Sequence, residues 1–144
     1  MELKNNSLFK ENCFIGGKWI ESNSREKINV DNPANSEIIG TVPKCSTPET
    51  SQAIDEAQRA FPAWRDRTAK ERSVILQKWA RLIEENIDDL AKIMTVEQGK
   101  PLAEAKGEIL MGVTYIDFYA EEGKRIYGDI ISDPMPDRRI VVIK

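Results

Sequence analysis

Glu97-Gln98-Gly99-Lys100-Pro101-Leu102-Ala103-Glu104-Ala105 ends one helix and begins another. Gly99 is the residue type that accepts the left-handed turn after a last helical residue. Pro101 suits a first helical position, where its missing N–H costs nothing. Upstream, a helix starting at Asn86 carries Leu90, Ala91, Ile93 and Met94 and stops at Gly99. Downstream, Leu102, Ala105, Ile109, Val113, Ile116 and Ala120 recur at helical spacing and predict a longer helix closing near Gly123 to Gly128. Two further helices precede this pair. Thr68-Ala69-Lys70-Glu71 is a capping-box sequence, followed by the stripe Val74, Ile75, Trp79, Leu82 and Ile83. Before it, Ser46 or Thr47 caps, Pro48 fits the first turn and Glu49 meets the positive end of the helix dipole. Ala53, Ile54, Ala57, Ala60, Phe61 and Trp64 then share a face, and Pro62 is expected to end regular hydrogen bonding.

The first 45 residues read differently. Phe14-Ile15 and Trp19-Ile20 flank Gly16-Gly17-Lys18, which predicts two short strands across a tight turn. Ile28-Asn29-Val30 and Ile38-Ile39-Gly40-Thr41-Val42 flank Asn32-Pro33-Ala34-Asn35, a second hairpin, halted at Pro43. At the other end, Arg138 to Lys144 contains four consecutive apolar residues and reads as a strand, for which no comparable partner strand is evident. The expectation is an α+β fragment, mostly helical, with N-terminal β-hairpins and a C-terminal strand left without its sheet.

The composition is that of an ordinary globular chain: 144 residues, 40% AVILMFWYC, 21 Lys+Arg against 24 Asp+Glu, and no repeat or low-complexity tract. The charges are mixed and slightly acidic, so neither nucleic acid nor a membrane is an expected partner. No apolar run reaches membrane-spanning length and the first residues lack a signal-peptide core, which makes the cytoplasm the expected location. With no His, catalytic Ser-His-Asp and Cys-His systems and His-ligated zinc are excluded within these residues. Cys13 and Cys45 lie far apart in sequence, outside any C-x-x-C pattern, and read as plain thiols rather than a redox dithiol or metal site.

No active site is visible in the pattern alone. Glu104 and Glu108 share a helix face but have lysines nearby and no nucleophile, which reads as a solvated face. Gly99-Lys100 lacks the glycine-rich loop of a phosphate cradle, and no G-x-G-x-x-G occurs. Trp64 and Trp79 read as core residues. Met111, Tyr115, Phe118 and Tyr119 gather on the fourth helix, where packing is the simplest reading.

Several motifs nevertheless recur together, in order, along nearly the whole chain: Phe14-Ile15-Gly16-Gly17-Lys18-Trp19, Asn32-Pro33-Ala34, Ile39-Gly40-Thr41-Val42-Pro43, Ala60-Phe61 with Trp64, Ala69-Lys70-Glu71-Arg72, and the stretch 97–105. In that order and spacing they resemble the amino-terminal segment of NAD(P)-dependent aldehyde dehydrogenases. The run Phe118 to Asp129 further resembles the succinate-semialdehyde dehydrogenase branch. The resemblance implies part of the aldehyde dehydrogenase α/β fold with the Rossmann core largely missing. Residues 1–130 would be the amino-terminal part of the cofactor-binding domain, and 131–144 the start of an oligomerisation arm.

Chemically, the resemblance implies oxidation of a small aldehyde by a cysteine nucleophile, with an oxyanion-binding Asn, hydride transfer to NAD or NADP, and a Glu that activates water. Those groups belong to family motifs absent from these 144 residues, so no catalytic or cofactor-binding residue is assigned here and no cofactor is expected for this chain alone. Two positions carry over. Glu97 matches an acidic residue that in some relatives helps hold a structural monovalent cation, and Met111, with Tyr115 one turn on, falls on the face that borders a substrate tunnel. The complete protein is expected to oxidise succinate semialdehyde to succinate as a homo-oligomer, with the isolated chain inactive and self-associating through its final strand. The alternative is a naturally short, non-catalytic module that binds a partner through its helical face and C-terminal strand.

Overall fold

The computed structural model describes residues 1–143, so Lys144, the last residue of the predicted terminal strand, lies outside the described residues. The chain opens with a hairpin of β1 (Cys13–Ile15) and β2 (Lys18–Ile20) and continues with a second of β3 (Lys27–Asp31) and β4 (Ile38–Pro43). Gly16 and Gly17 form the first turn alone, both at positive φ (59° and 79°), where a side chain would be strained. Lys18 is already in the strand, paired with Ile15.

Four helices follow: α1 (Thr47–Arg65), α2 (Ala69–Glu85), α3 (Ile87–Gln98) and α4 (Leu102–Glu122). Their ends obey the local signals. Thr68 caps α2, its hydroxyl accepting from the Glu71 N–H at 3.3 Å while the Glu71 carboxylate accepts from the Thr68 N–H at 2.8 Å. Gly99 closes α3 at φ 74°, while Pro101 stands at the N-cap of α4, one residue before the first helical position expected for it. Pro62 departs from expectation. It sits inside α1, which runs on to Arg65, because the residues after it recover the ladder: the Asp66 N–H reaches the Pro62 carbonyl at 3.0 Å. The proline therefore deletes one rung without ending the helix.

The terminal strand also differs from expectation. β6 (Arg139–Val142) has a partner, β5 (Asp129–Ser132), in an antiparallel register that pairs Ile130 with Val141 and Ile131 with Ile140. The expected boundary between residues 130 and 131 falls inside β5.

The core is built from small side chains. α4 packs against both α2 and α3, and the fully buried apolar residues at these crossings are Ala80, Ala91, Ala105, Val113 and Ala120. The face that α2 turns inward is therefore Ser73, Ala80 and the half-buried Leu76, Gln77 and Ile83, so of the stripe read from the sequence only Ile83 turns inward. Val74, Ile75, Trp79 and Leu82 are exposed, as are Ile54, Phe61 and Trp64 of α1. Both tryptophans thus lie outside the core formed within these residues. Periodicity identifies an apolar stripe but not which neighbour covers it, and here the close helix crossings select alanine over tryptophan. On α4 the reading holds better: Ala105, Val113 and Ala120 are buried, Ile109 and Ile116 half-buried, and only Leu102 of the expected set is exposed.

Candidate functional site

α4 is two-sided. Its inner stripe of small residues seats it on α2 and α3, so the larger side chains, spaced three and four apart, share the opposite side. Met111 and Tyr115 are 58% and 60% exposed there, one turn apart. Tyr115 lines a shallow cleft of about 360 Å³ with Thr114, Phe118 and Tyr119, and the last two rings meet edge to face at 5.2 Å. Core packing among the described residues therefore does not account for Met111 or Tyr115.

Glu97 lies elsewhere, exposed in the final turn of α3. It borders an apolar groove of about 480 Å³ with Leu90, Ile93, Ile109, Gly112 and Ile116. The structure thus separates Glu97 from the Met111 and Tyr115 face. Among the described residues no three acidic or cysteine side chains gather as a metal-binding group. Glu108 ion-pairs with Lys100, in keeping with a solvated face for Glu104 and Glu108.

The strongest electrostatic features are anchors. Glu49, buried in the first turn of α1, accepts from the Ser46 hydroxyl at 2.6 Å, the Asn23 N–H at 2.7 Å and the Ser46 N–H at 2.9 Å. These bonds hold its carboxyl at about 2, well below the usual 4.5. Asp88 is likewise held at about 2, by Lys106 of α4 at 2.6 Å and Lys4 at 3.1 Å. Its neighbour Asp89 accepts from the backbone N–H groups of Lys4 and Asn5, tying the amino-terminal segment to α3.

One pair was illegible in sequence. Cys13, the first residue of β1, and Cys45, between β4 and α1, bring their Sγ atoms to 3.5 Å. Their expected isolation is overturned because the two hairpins fold the intervening 32-residue separation back on itself. Only the tertiary path of the chain reveals it.

The model of the aldehyde dehydrogenase family matches residues 19–144. This chain belongs to the aldehyde dehydrogenase family. Over all 144 residues it is 54% identical to the NADP(+) succinate-semialdehyde dehydrogenase GabD of Escherichia coli and 54% identical to a glutarate-semialdehyde dehydrogenase of Pseudomonas putida, covering 30% of each relative. A crystal structure of an Escherichia coli NADP-dependent enzyme superposes on 99% of this chain with a TM-score of 0.95, at 53% identity, over 30% of its own length. The chain therefore spans about 30% of the length of the relatives it matches, and its architecture is a fragment of the aldehyde dehydrogenase fold. Among the described residues no helix is long and apolar enough to cross a membrane.

Proposed function

We propose that this chain is the amino-terminal portion of an NAD(P)-dependent semialdehyde dehydrogenase whose substrate is a short aldehyde carrying a remote carboxylate, succinate semialdehyde first among them. The observation that carries the reading is equal identity, over all 144 residues of this chain, to relatives named for succinate and for glutarate semialdehyde, two substrates of the same chemical class. A bound nicotinamide would supply hydride acceptance. β4 leads into α1 through Lys44-Cys45-Ser46, without the glycines a dinucleotide turn uses, so no residue of this chain is assigned to hold the cofactor.

This chain contributes walls and supports. Met111 and Tyr115 offer an apolar surface with one hydroxyl, suited to the aliphatic stem of a short substrate and to excluding water from it. Glu97 adds a carboxylate near the carbonyl-rich C-terminal end of α3, an electronegative place for one ligand of a monovalent cation whose other donors would come from elsewhere. The exposed aromatic and aliphatic faces of α1, α2 and α4 support a segment that seats against further polypeptide. The oligomerisation arm is assigned from Asp129 onward, since β5 and β6 form one hairpin.

The test uses the complete reading frame. Purified protein should reduce NAD or NADP with succinate or glutarate semialdehyde, while residues 1–144 alone should not. Turnover only of aldehydes without a second carboxylate overturns the substrate class. Absence of turnover with any aldehyde overturns the activity.

A further inference from the structure

We propose that Cys13 and Cys45 form a reversible intramolecular disulfide that fastens the β1–β2 hairpin to the start of α1 under oxidising conditions. This assignment is independent of the catalytic reading above, since neither cysteine is placed in a reaction. The sulfurs are 3.5 Å apart, so bonding requires an approach of about 1.5 Å. Both residues are half-buried, which leaves a path for a small disulfide reagent.

The surroundings favour a bond within one chain. Cys45 immediately precedes Ser46 and the buried Glu49 cluster, whose hydrogen bonds fix the backbone on that side. Cys13 opens β1 opposite Ile20, and the following Gly16 approaches α1 so closely that an added Cβ there would meet Glu56 at 3.0 Å. The hairpin thus already rests on the helix, and a disulfide would fix that contact. Its loop would enclose β2, β3 and β4, so oxidation constrains the whole amino-terminal β region.

With oxidised glutathione the chemistry balances as two successive exchanges. One cysteine thiolate attacks a glutathione sulfur, forming a mixed disulfide and releasing one glutathione thiolate, which takes up a proton. The second cysteine then loses its proton and attacks the protein sulfur, expelling the second glutathione. Two protein thiols are oxidised by two electrons, and one glutathione disulfide is reduced to two thiols. The hydrogen bond with Cys13, burial and the nearby Glu49 carboxylate raise the Cys45 thiol above its ordinary range. A raised Cys45 thiol holds less of the attacking thiolate at neutral pH, which slows any step in which Cys45 is the nucleophile.

The experiment equilibrates the full protein with oxidised glutathione, blocks free thiols and maps tryptic peptides. Cleavage after Lys10, Lys18, Lys44 and Arg59 places the cysteines in separate peptides, 11–18 and 45–59. The expected result is a linked 11–18/45–59 species that disappears on reduction and is absent from both Cys13→Ser and Cys45→Ser. Mixing heavy- and light-isotope protein before oxidation should give no hybrid linked peptide. Glutathione adducts on the two cysteines without linkage at equilibrium would overturn the proposal, as would linkage found mainly as isotope hybrids. Because the decisive mapping is on unmutated protein, a variant that misfolds does not blunt it.

Discussion

The inner and outer sides of the helical layer use apolar residues in opposite ways. Where α4 crosses α2 and α3, the buried apolar residues are four alanines and one valine, and Ser73 of α2 is buried as well. On the outer sides stand Trp79 of α2, Phe61 and Trp64 of α1, and Tyr115, Phe118 and Tyr119 of α4. Small residues let helix axes approach closely, gaining many weak dispersion contacts along the crossing. Large residues exposed in a contiguous set gain nothing until another surface covers them. Helices α2, α3 and α4 are thus seated on one another by their smallest side chains, and the largest are presented outward.

The widest difference should appear between Ala105 and Trp79. Ala105→Leu adds volume at a fully buried crossing and should cost about 3 kcal/mol, the upper part of the range for overpacking. Trp79→Ser in the same 144-residue chain should change stability by less than about 0.5 kcal/mol, as surface substitutions do. In the complete protein the same tryptophan change should cost about 3 kcal/mol, because the face is then covered. Urea unfolding checks all three. A larger loss for Trp79→Ser than for Ala105→Leu in the 144-residue chain would collapse the distinction between the two sides.

Next in size is Glu49, which ties the amino-terminal hairpins to the helices through polar rather than apolar contact. Its folded-state value of about 2 lies below the ordinary 4.5, so its contribution is fully present above pH 4.5 and is lost as pH falls towards 2. Glu49→Gln should therefore lower the melting temperature by several degrees at neutral pH and flatten the decline across that interval. Some slope should persist, since Asp88 is lowered in the same direction and to a similar value. Melting curves from pH 7 to 2.5 measure this. An unchanged acid limb in Glu49→Gln would assign the anchoring to other groups.

These two regions were not equally legible beforehand. The Thr68–Glu71 capping box, the Gly16-Gly17 turn and the Gly99 stop were readable because each is set among residues within a few positions of one another, whereas for Glu49 only its place in the first turn of α1 was readable and not its bonds to Ser46 and Asn23. The inward face of α2 was not, since hydrophobicity ranks Trp79 above Ala80 while a tight crossing admits only the smaller. β5 leaves little trace in the sequence because only Ile130 and Ile131 are apolar in it, too few to show an alternation. Its pairing with β6 depends on the reversal through Asp133 to Arg138. The Cys13 and Cys45 contact, like the cleft beside Tyr115, depends on tertiary geometry that no local signal encodes. Met111 and Tyr115 were reachable only through family resemblance, because an outward Met and Tyr on a helix carry no chemical signature of their own.

A more modest effect is expected from Met111, and it tests whether the outward face of α4 serves substrate as well as packing. In the complete protein, Met111→Trp should lower kcat/KM for aldehydes bulkier than succinate semialdehyde by about tenfold more than for the short substrate, about 1.4 kcal/mol of differential binding. The melting temperature should shift only slightly. Uniform loss across substrates together with a large fall in melting temperature would return Met111 to a packing role.

The smallest effect concerns the β5–β6 hairpin, the most outward apolar element of all. An unpaired terminal strand would have driven strong self-association, but β5 satisfies one edge of β6 and so removes much of that drive. What remains is an outer edge and exposed apolar residues on both faces; on the more exposed face Ile130 and Val141 are paired across the strands and Ile143 follows. Burying parts of three such side chains is worth about 3 kcal/mol, which falls short of even the lowest estimates, about 4 kcal/mol, for lost rotational and translational freedom. Edge-to-edge backbone hydrogen bonds add to this, so the 144-residue chain should associate weakly, with a Kd on the order of 0.1–1 mM. Sedimentation velocity across that concentration range should show a rising average mass, which Val141→Ser with Ile143→Ser returns to the monomer value. Association that persists unchanged in the double variant would move the contact to the helical faces, where Trp79 and Tyr119 are exposed, and would make the hairpin the quieter of the two outward surfaces.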